Sequence, residues 1–217
     1  MGSDQVGRDI FVRVVHGMRT SFLAACLVIA SGILVGGLVG LVAGSGPRWV
    51  DNAFMRITDV FLALPGPILA IAVVAALGPS LTNTLIAVAI VWWPLYARIM
   101  RGEVRAMASR PHMDAARMAG IGPVRRTVRH LLPGAVPPLL VAASLDVGQL
   151  VLTLAGLSFI GLGSPAPAPE LGAMVQQGSP YLFENWWVPV MPALGVFLLA
   201  FTSNLAGDGV RNLWGIE

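Results

Sequence analysis

The residues best suited to recognition chemistry lie in an arginine-rich stretch near the middle of the chain. Residues 113–120 read MDAARMAG, and after nine further residues HLLP follows at 130–133. Alanine is the strongest helix former, a carboxylate is stabilised near a helix N-terminus, and glycine can end a helix in the left-handed conformation. The pattern therefore predicts a short helix that offers small side chains to a protein partner. The predicted contact residues are Asp114, Ala115, Ala116, Arg117, Gly120, Leu132 and Pro133.

A second short helix is expected directly after the first. Pro123 suits its first turn, and Pro133 marks the entry to the next apolar segment. Three arginines make this helix basic: Arg125, Arg126 and Arg129. Two short helices would then meet at an elbow outside the membrane, where small residues let a partner approach and arginines supply contacts at its rim.

A single carboxylate lies inside an apolar segment. Asp146 falls near the middle of residues 134–159, and Gln149 follows at a helical spacing that places it near the same face. An intramembrane acid costs about 2.5–3.5 kcal/mol on insertion scales and normally faces a cavity or a partner. Three roles remain open: lining a polar pathway, a structural hydrogen bond to another helix or subunit, or a proton relay. Pro65 interrupts another apolar segment, where it either bends a pathway-lining helix or marks a packing irregularity.

Signatures of catalysis are missing from the sequence. No G-x-x-x-x-G-K-[ST] phosphate loop occurs and no residue is lysine, which excludes ATP binding by that route. The three histidines lack metal-ligand spacing, and Cys26 stands alone in an apolar run. We therefore expect no enzymatic activity, cofactor or metal in this chain.

These residues must be positioned by membrane-spanning helices. The AVILMFWYC group makes up 56% of the 217 residues and charged residues only 12%, about half of the usual share. A helix needs about 20 mainly apolar residues to cross the hydrocarbon core. In the first candidate span glycine recurs every fourth residue, which predicts close helix packing. The sequence thus predicts an all-α membrane protein with about five spans, at 22–44, 60–78, 81–97, 134–159 and 188–205.

Arginine placement predicts how these spans are oriented. Residues 98–129 carry eight of the 14 basic residues, opposed only by Glu103 and Asp114. The positive-inside rule places the loop at 98–133 in the cytoplasm. Alternation then puts the C-terminus inside and residues 161–187, which contain no basic residue, outside. Residues 1–20 would fall outside despite three arginines, so we expect an external or interfacial segment, or an upstream span that this chain lacks. The arginines do not line one soluble face, so no nucleic acid is expected as a partner.

The arginine-rich loop resembles the EAA loop in the transmembrane subunits of binding-protein-dependent ABC importers. The family pattern is Glu-Ala-Ala, three residues, Gly, nine residues, two positions that vary more, and then Leu-Pro. This chain keeps the full spacing and has Asp114 in place of the glutamate. In that family the loop forms a coupling helix that docks into a cleft of a separate ATPase subunit. The resemblance implies that role for residues 114–120 here.

Three further motifs resemble the dipeptide, oligopeptide and nickel permease branch of this family. They are DQVGRDIF at 4–11, LSFIGLG at 157–163 and NLAGDGVR at 204–211. The chain looks most like the "C" permease of a peptide system, whose members usually have a sixth span ahead of the first motif. Many relatives also carry a carboxylate near the position of Leu154, which is apolar here.

The resemblance implies a type I ABC importer transmembrane domain at residues 21–217 in a bacterial inner membrane. Such a permease forms half of a pathway for small peptides, with nickel or another small solute as the alternative. Its expected partners are a second homologous permease, two ATPase subunits that bind ATP and Mg²⁺, and an external solute-binding protein. An ion-driven secondary transporter is the other hypothesis, but such proteins usually show inverted repeats and midplane polar clusters. We find no internal repeat, and only Asp146 lies at membrane depth.

Overall fold

The chain begins with one long helix. The structure, a computed structural model, describes residues 2–165 and 167–214. Helix α1 (Ile10–Ser45) is capped by Asp9, whose carboxylate accepts a hydrogen bond from the Val12 N–H at 3.1 Å. Its 36 residues extend about 54 Å, well beyond the ~30 Å hydrocarbon core. The helix starts 12 residues before the span predicted at 22–44, and no proline interrupts it. Residues 10–20, which were expected to belong to a separate external or interfacial segment, are therefore part of α1.

The second predicted span is broken. Helices α2 (Arg48–Ala63) and α3 (Gly66–Leu77) meet at Leu64 and Pro65 with a bend of 87°. Leu64 is extended, with φ −94° and ψ 139°, as the residue before a proline prefers. The interruption expected at Pro65 is confirmed. Residues 60–63, however, belong to α2 rather than to a continuous span that ends at residue 78.

A tight turn joins α3 to α4 (Leu81–Ala108), and the two helices form a helical hairpin. Ser80 caps α4 by accepting a hydrogen bond from the Asn83 N–H at 3.1 Å, and the Asn83 amide donates to the carbonyls of Leu77 and Gly78. Helix α4 continues to Ala108, well past the predicted end at residue 97. The arginines between 98 and 105 therefore lie on α4 and not in a loop, because arginine, methionine and alanine are good helix formers.

Helices α1 and α4 pack closely along the glycine-bearing face of α1. A Cβ atom at Gly36 would clash with the backbone carbonyl of Trp93, and one at Gly40 would clash with the carbonyl of Ala97. Backbone atoms cannot move aside as a flexible side chain can, so only glycine allows this approach. The packing role predicted for the glycine repeat is confirmed.

Two short helices follow α4, as predicted. Helix α5 (Pro111–Met118) and helix α6 (Pro123–Arg126) each begin with a proline, whose fixed φ suits a first helical turn. A single π-helical stretch (Thr127–Leu131) continues from α6 into the next long helix. We call residues 109–131 the elbow.

Three helices complete the bundle. Helices α7 (Leu132–Phe159) and α9 (Trp187–Leu213) contain the spans predicted at 134–159 and 188–205, and α8 (Leu171–Gly178) lies between them in the chain. The buried Glu170 caps α8 by accepting hydrogen bonds from the backbone N–H groups of Gly172 and Ala173. Within the described ranges, four helices are long and apolar enough to cross a membrane, and the bent α2–α3 pair is a fifth candidate. The fold is therefore all-α in the part of the chain that the structure describes.

The core lies among α1, α4 and α7. Tyr96, Met100 and Leu150 are almost completely buried there. Large apolar side chains on the outer side of α1, such as Leu27 and Leu34, are instead more than 60% exposed. Exposure of this kind along a bundle of long apolar helices fits a lipid environment. The chain is a multi-pass membrane protein.

Candidate functional site

Helix α5 has one buried face and one exposed face. The side chains of Met113 and Ala116 are buried against the bundle and anchor the helix. Asp114, Ala115 and Arg117 are exposed on the other face. The Arg117 guanidinium donates to Asp114 Oδ1 at 2.6 Å, an exposed pair within the first turns of the helix. The structure thus brings three of the predicted contact residues together on one accessible surface.

Gly120 ends α5 in the left-handed conformation, as predicted. Its φ is +71°, its N–H donates to the Arg117 carbonyl at 3.0 Å, and the Ile121 N–H donates to the Ala116 carbonyl at 3.1 Å. This pair of hydrogen bonds is a Schellman motif. A Cβ atom at Gly120 would meet nothing within 4 Å. The requirement for glycine therefore comes from the backbone conformation and not from crowding.

The elbow exposes three large apolar side chains that sequence reasoning missed. Met118 is 85% exposed, Val124 75% and Val128 57%. Met118 ends α5, whereas Val124 and Val128 lie in α6 and the π-helical stretch, and each of the three is next to an arginine in the chain. The amino-acid sequence indicates this surface only weakly, because the three side chains are single apolar residues within a polar segment. An apolar surface rimmed by cations is typical of a protein interaction site.

Leu132 and Pro133 occupy a different position from the other predicted contact residues. They form the first turn of α7, where Leu132 packs partly buried against the core and Leu131 just before it is fully buried. Gly134 lies directly against the end of the Met107 side chain of α4. These residues hold the start of α7 against the end of α4, the two helices that the elbow connects.

A buried carboxylate with two partly exposed arginine partners lies at the same end of α4. Asp51, in the first turn of α2, is only 4% exposed. Its Oδ1 accepts from Arg101 Nε, and its Oδ2 accepts from Arg101 Nη2 at 2.8 Å and from Arg105 Nη2. Nothing in the sequence indicated this pairing, because the partners are about 50 residues apart. A second, exposed pair joins Asp59 of α2 to Arg98 of α4 at 2.6 Å.

Asp146 faces α4. Its half-buried carboxyl group lies near the Trp92 indole and the Tyr96 hydroxyl. In the described residues, however, none of Trp92 Nε1, Tyr96 OH and Asp146 Oδ2 has a hydrogen-bond partner. Gln149 is exposed, and Pro65 lies at the bend between α2 and α3. The three predicted pathway residues therefore differ in burial and in the helix that carries them.

The N-terminal motif at 4–11 folds into a compact turn ahead of α1. Asp4 accepts hydrogen bonds from the backbone N–H groups of Val6 and Arg8 and from Arg8 Nε at 2.7 Å. Burial raises the pKa of the Asp4 carboxyl group, but the hydrogen bonds from Arg8 and Val6 outweigh burial and hold this pKa below its ordinary value. Arg13 also donates to the Pro167 carbonyl at 3.2 Å and ties α1 to the segment before α8.

Solved structures share the fold of this chain. The chain matches a chain of the inward-facing methionine ABC transporter MetNI with a TM-score of 0.74 and 21% identity, over 94% of this chain and 97% of that one. The helices described above are therefore arranged as in the transmembrane domain of an ABC importer. The sequence also matches, over residues 17–213, the family described as binding-protein-dependent transport system inner membrane component. The chain belongs to this family.

Curated relatives agree with this assignment. The di/tripeptide transport system permease protein of Pseudomonas aeruginosa (strain UCBPP-PA14) is 40% identical over 212 residues, which cover 98% of this chain and 70% of that protein. The nickel transport system permease protein of Escherichia coli (strain K12) is 39% identical over 216 residues, 98% of this chain and 76% of the relative. The resemblance noted from the sequence motifs is confirmed at the level of the family and the branch.

Proposed function

We propose that this chain is a permease subunit of an ATP-driven importer for small peptides, and that α5 is its coupling helix. The subunit would supply half of the translocation pathway and no chemistry of its own. The observation that carries the proposal is the shape of the elbow. Helix α5 is anchored by one buried face, is ended by a Schellman motif, and exposes small and apolar side chains next to arginines.

The exposed face of α5 suits a cleft in another protein. Ala115 is small enough to allow close approach, and Met118 is an unbranched, adaptable side chain with nearly its whole surface available. The neighbouring arginines supply charge-assisted contacts at the rim. Asp114, Arg117 and Gly120 shape this surface, while Leu132 and Pro133 hold its base. ATP and Mg²⁺ would bind to the partner ATPase, and this chain would hold no cofactor.

The orientation proposed for the chain follows from its arginines. The elbow and the C-terminus would face the cytoplasm, and the segment at 161–187 would face outward. Residues 1–20 would begin on the outer side, where the turn at 4–11 joins α1. A second homologous permease, two ATPase subunits and an external solute-binding protein would complete the complex.

Small peptides are the proposed solute because a 40% identical relative is a di/tripeptide permease. Nickel is the second candidate, since a 39% identical relative is a nickel permease. Uptake of radiolabelled dialanine and of ⁶³Ni²⁺ into proteoliposomes with the assembled complex separates the two. Accumulation of the peptide alone supports the proposal, and accumulation of Ni²⁺ alone overturns it.

The polar residues of the bundle are proposed as contributors to the pathway. Asp146 and Gln149 would offer a carboxylate and an amide to a peptide, and Pro65 would bend the α2–α3 pair around it. Asp146 supports this proposal because its carboxyl group is only half-buried beside the Trp92 indole and the Tyr96 hydroxyl, which leaves part of it open to a solute.

Co-purification tests the proposed coupling site. The chain would be co-expressed with its genomic neighbours, purified in mild detergent and analysed by mass spectrometry. Met118→Asp places a charge on the exposed apolar surface and is expected to release the ATPase while the second permease is retained. Phe183→Asp is the matched control, because Phe183 is 98% exposed but lies in the segment proposed to face outward. Equal recovery of the ATPase with the two variants would show that the exposed surface of the elbow is not part of the interface with the ATPase.

A further inference from the structure

Helix α2 is attached to the bundle mainly by polar contacts. Of its 16 residues only Asp51 and Thr58 are buried. The Thr58 hydroxyl donates to the Phe54 carbonyl of its own helix, so this hydrogen bond does not join α2 to α4. Apolar side chains such as Trp49 and Val60 are more than two-thirds exposed. Since little apolar surface holds α2 in place, its position depends strongly on the carboxylate of Asp51.

Asp51 is held firmly by α4. The Arg101 guanidinium donates one hydrogen bond to each oxygen of the Asp51 carboxylate, and Arg105 donates a third. A two-pronged arginine–carboxylate contact fixes distance and orientation, whereas a single exposed ion pair does not. The side chains of Asp51 and Arg101 are 5% and 29% exposed, so solvent screens this contact less than it screens a fully exposed ion pair. The hydrogen bonds of Asp51 with Arg101 and Arg105 therefore hold the start of α2 at a fixed position against the last two turns of α4.

The same turns of α4 lead directly into α5. The Ser109 N–H donates to the Arg105 carbonyl at 3.2 Å, the Arg110 N–H donates to Met107, and the Met113 N–H donates to Arg110. Only Ser109 and Arg110 separate the two helices, and both are tied by these hydrogen bonds. A displacement of α5 therefore reaches Arg105 and Arg101 without an intervening flexible segment.

At its other end α2 leads into the bent segment. The 87° bend at Leu64 and Pro65 connects α2 to α3, and the edge-to-face contact of Phe61 with Trp93 is the last aromatic link before the bend. Helix α3 has only two buried residues, Ala70 and Val74. The α2–α3 pair thus buries few of its side chains, and at the end of α4 next to the elbow it is connected through Asp51.

We propose that Asp51, Arg101 and Arg105 form a latch that transmits movement of α5 to the α2–α3 pair. Asp51 is a positioning residue: it acts on the pathway through α2 and contacts no solute or nucleotide. This inference rests on the proposed function of α5 as the coupling helix. The exposed Asp59–Arg98 pair is a weaker second contact on the same helix, because both of its side chains are more than half exposed.

The test measures distances in the assembled complex in lipid nanodiscs. In a Cys26→Ser background, spin labels at Asn52→Cys and Asn212→Cys report α2 relative to α9, and labels at His112→Cys and Asn212→Cys report α5 relative to α9. All three labelled positions are exposed. Each pair is measured without nucleotide and after trapping with ATP and vanadate. In the otherwise unchanged protein both distances are expected to shift on trapping.

Asp51→Asn is expected to abolish the shift of α2 while that of α5 remains. Asp59→Asn, the matched control, is expected to preserve both shifts. Arg105→Gln removes one hydrogen bond from a half-exposed arginine, keeps the Arg101 contact, and is expected to reduce the α2 shift without abolishing it. This variant provides the test even if Asp51→Asn does not assemble.

Two failures are distinguishable. An unchanged α5 distance on trapping, in the protein with native Asp51, overturns the proposed role of α5. A shift of α5 accompanied by an equal shift of α2 in Asp51→Asn and in Arg105→Gln overturns the latch and leaves the coupling helix intact.

Discussion

Replacement of Gly120 tests whether the turn at the end of α5 is required for partner binding. With φ at +71°, an alanine at this position places its Cβ atom in the disfavoured left-handed region, at a cost of about 1–2 kcal/mol. No atom lies within 4 Å of that Cβ, so the cost is purely conformational. Gly122 offers a matched control, because its φ is −60° and its Cβ would also meet nothing within 4 Å.

The conformational strain sets the expected change in the dissociation constant of the ATPase. In the free permease the Gly120→Ala variant relaxes to another elbow conformation, and the ATPase must restore the native turn when it docks. The dissociation constant of the ATPase is therefore expected to rise by up to about 5- to 30-fold, the factor that corresponds to 1–2 kcal/mol. Gly122→Ala is expected to leave the dissociation constant unchanged.

The assay titrates purified ATPase onto the permease pair in nanodiscs and follows binding by surface plasmon resonance. Thermal unfolding of each variant is measured in parallel, so that loss of the fold is separated from loss of docking. Equal dissociation constants for Gly120→Ala and Gly122→Ala, with both proteins folded, would refute the claim that the Schellman turn shapes the docking surface.

Three further outcomes are expected. Gly36→Ala should lower thermal stability by about 1–3 kcal/mol, since its Cβ would clash with the Trp93 carbonyl, whereas Gly156→Ala, with open space around it, should not; equal effects in thermal unfolding would contradict the α1–α4 packing. Asp146→Leu should reduce dialanine uptake without lowering thermal stability, because it replaces a half-buried carboxyl group in the apolar bundle by an apolar side chain; a clear loss of stability would instead indicate a structural hydrogen bond to Trp92 or Tyr96. The lowered pKa of Asp4 means that its contribution to stability is full above about pH 4 and is lost as pH falls through the folded-state pKa. The protection factors for hydrogen exchange at residues 4–10 should therefore fall in acid, and Asp4→Asn should remove this pH dependence; a fall of the same size in Asp4→Asn would exclude Asp4 as its cause.

Local sequence rules predicted the helical elements well where one strong signal acted alone. The arrangement Gly120, Ile121 and Pro123 specifies a helix end followed by a helix start, and the structure shows both. Pro65 predicted the break in the second span, and the glycine repeat predicted the face of α1 that packs on α4. Each of these features depends on the backbone of a few neighbouring residues.

The boundaries of the long helices were predicted less well. Hydropathy marks where a segment leaves lipid, whereas a helix ends where its backbone hydrogen bonds end. Helix α4 therefore runs through Arg98 and Arg105 to Ala108, and α1 starts at Ile10. Residues that meet across the bundle could not be predicted at all. The contact of Asp51 with Arg101 depends on how α2 crosses α4, and no local pattern encodes that crossing.

Photo-crosslinking from α5 shows whether this helix contacts the ATPase. In the Cys26→Ser background, Ala115→Cys is labelled with benzophenone maleimide in membranes that contain the whole complex, and Phe183→Cys serves as the control; both positions are exposed. We predict that irradiation joins the ATPase to the chain labelled at position 115 and not to the chain labelled at position 183. An adduct with the ATPase from position 183, or none from position 115 in a complex that still contains the ATPase, would contradict the account.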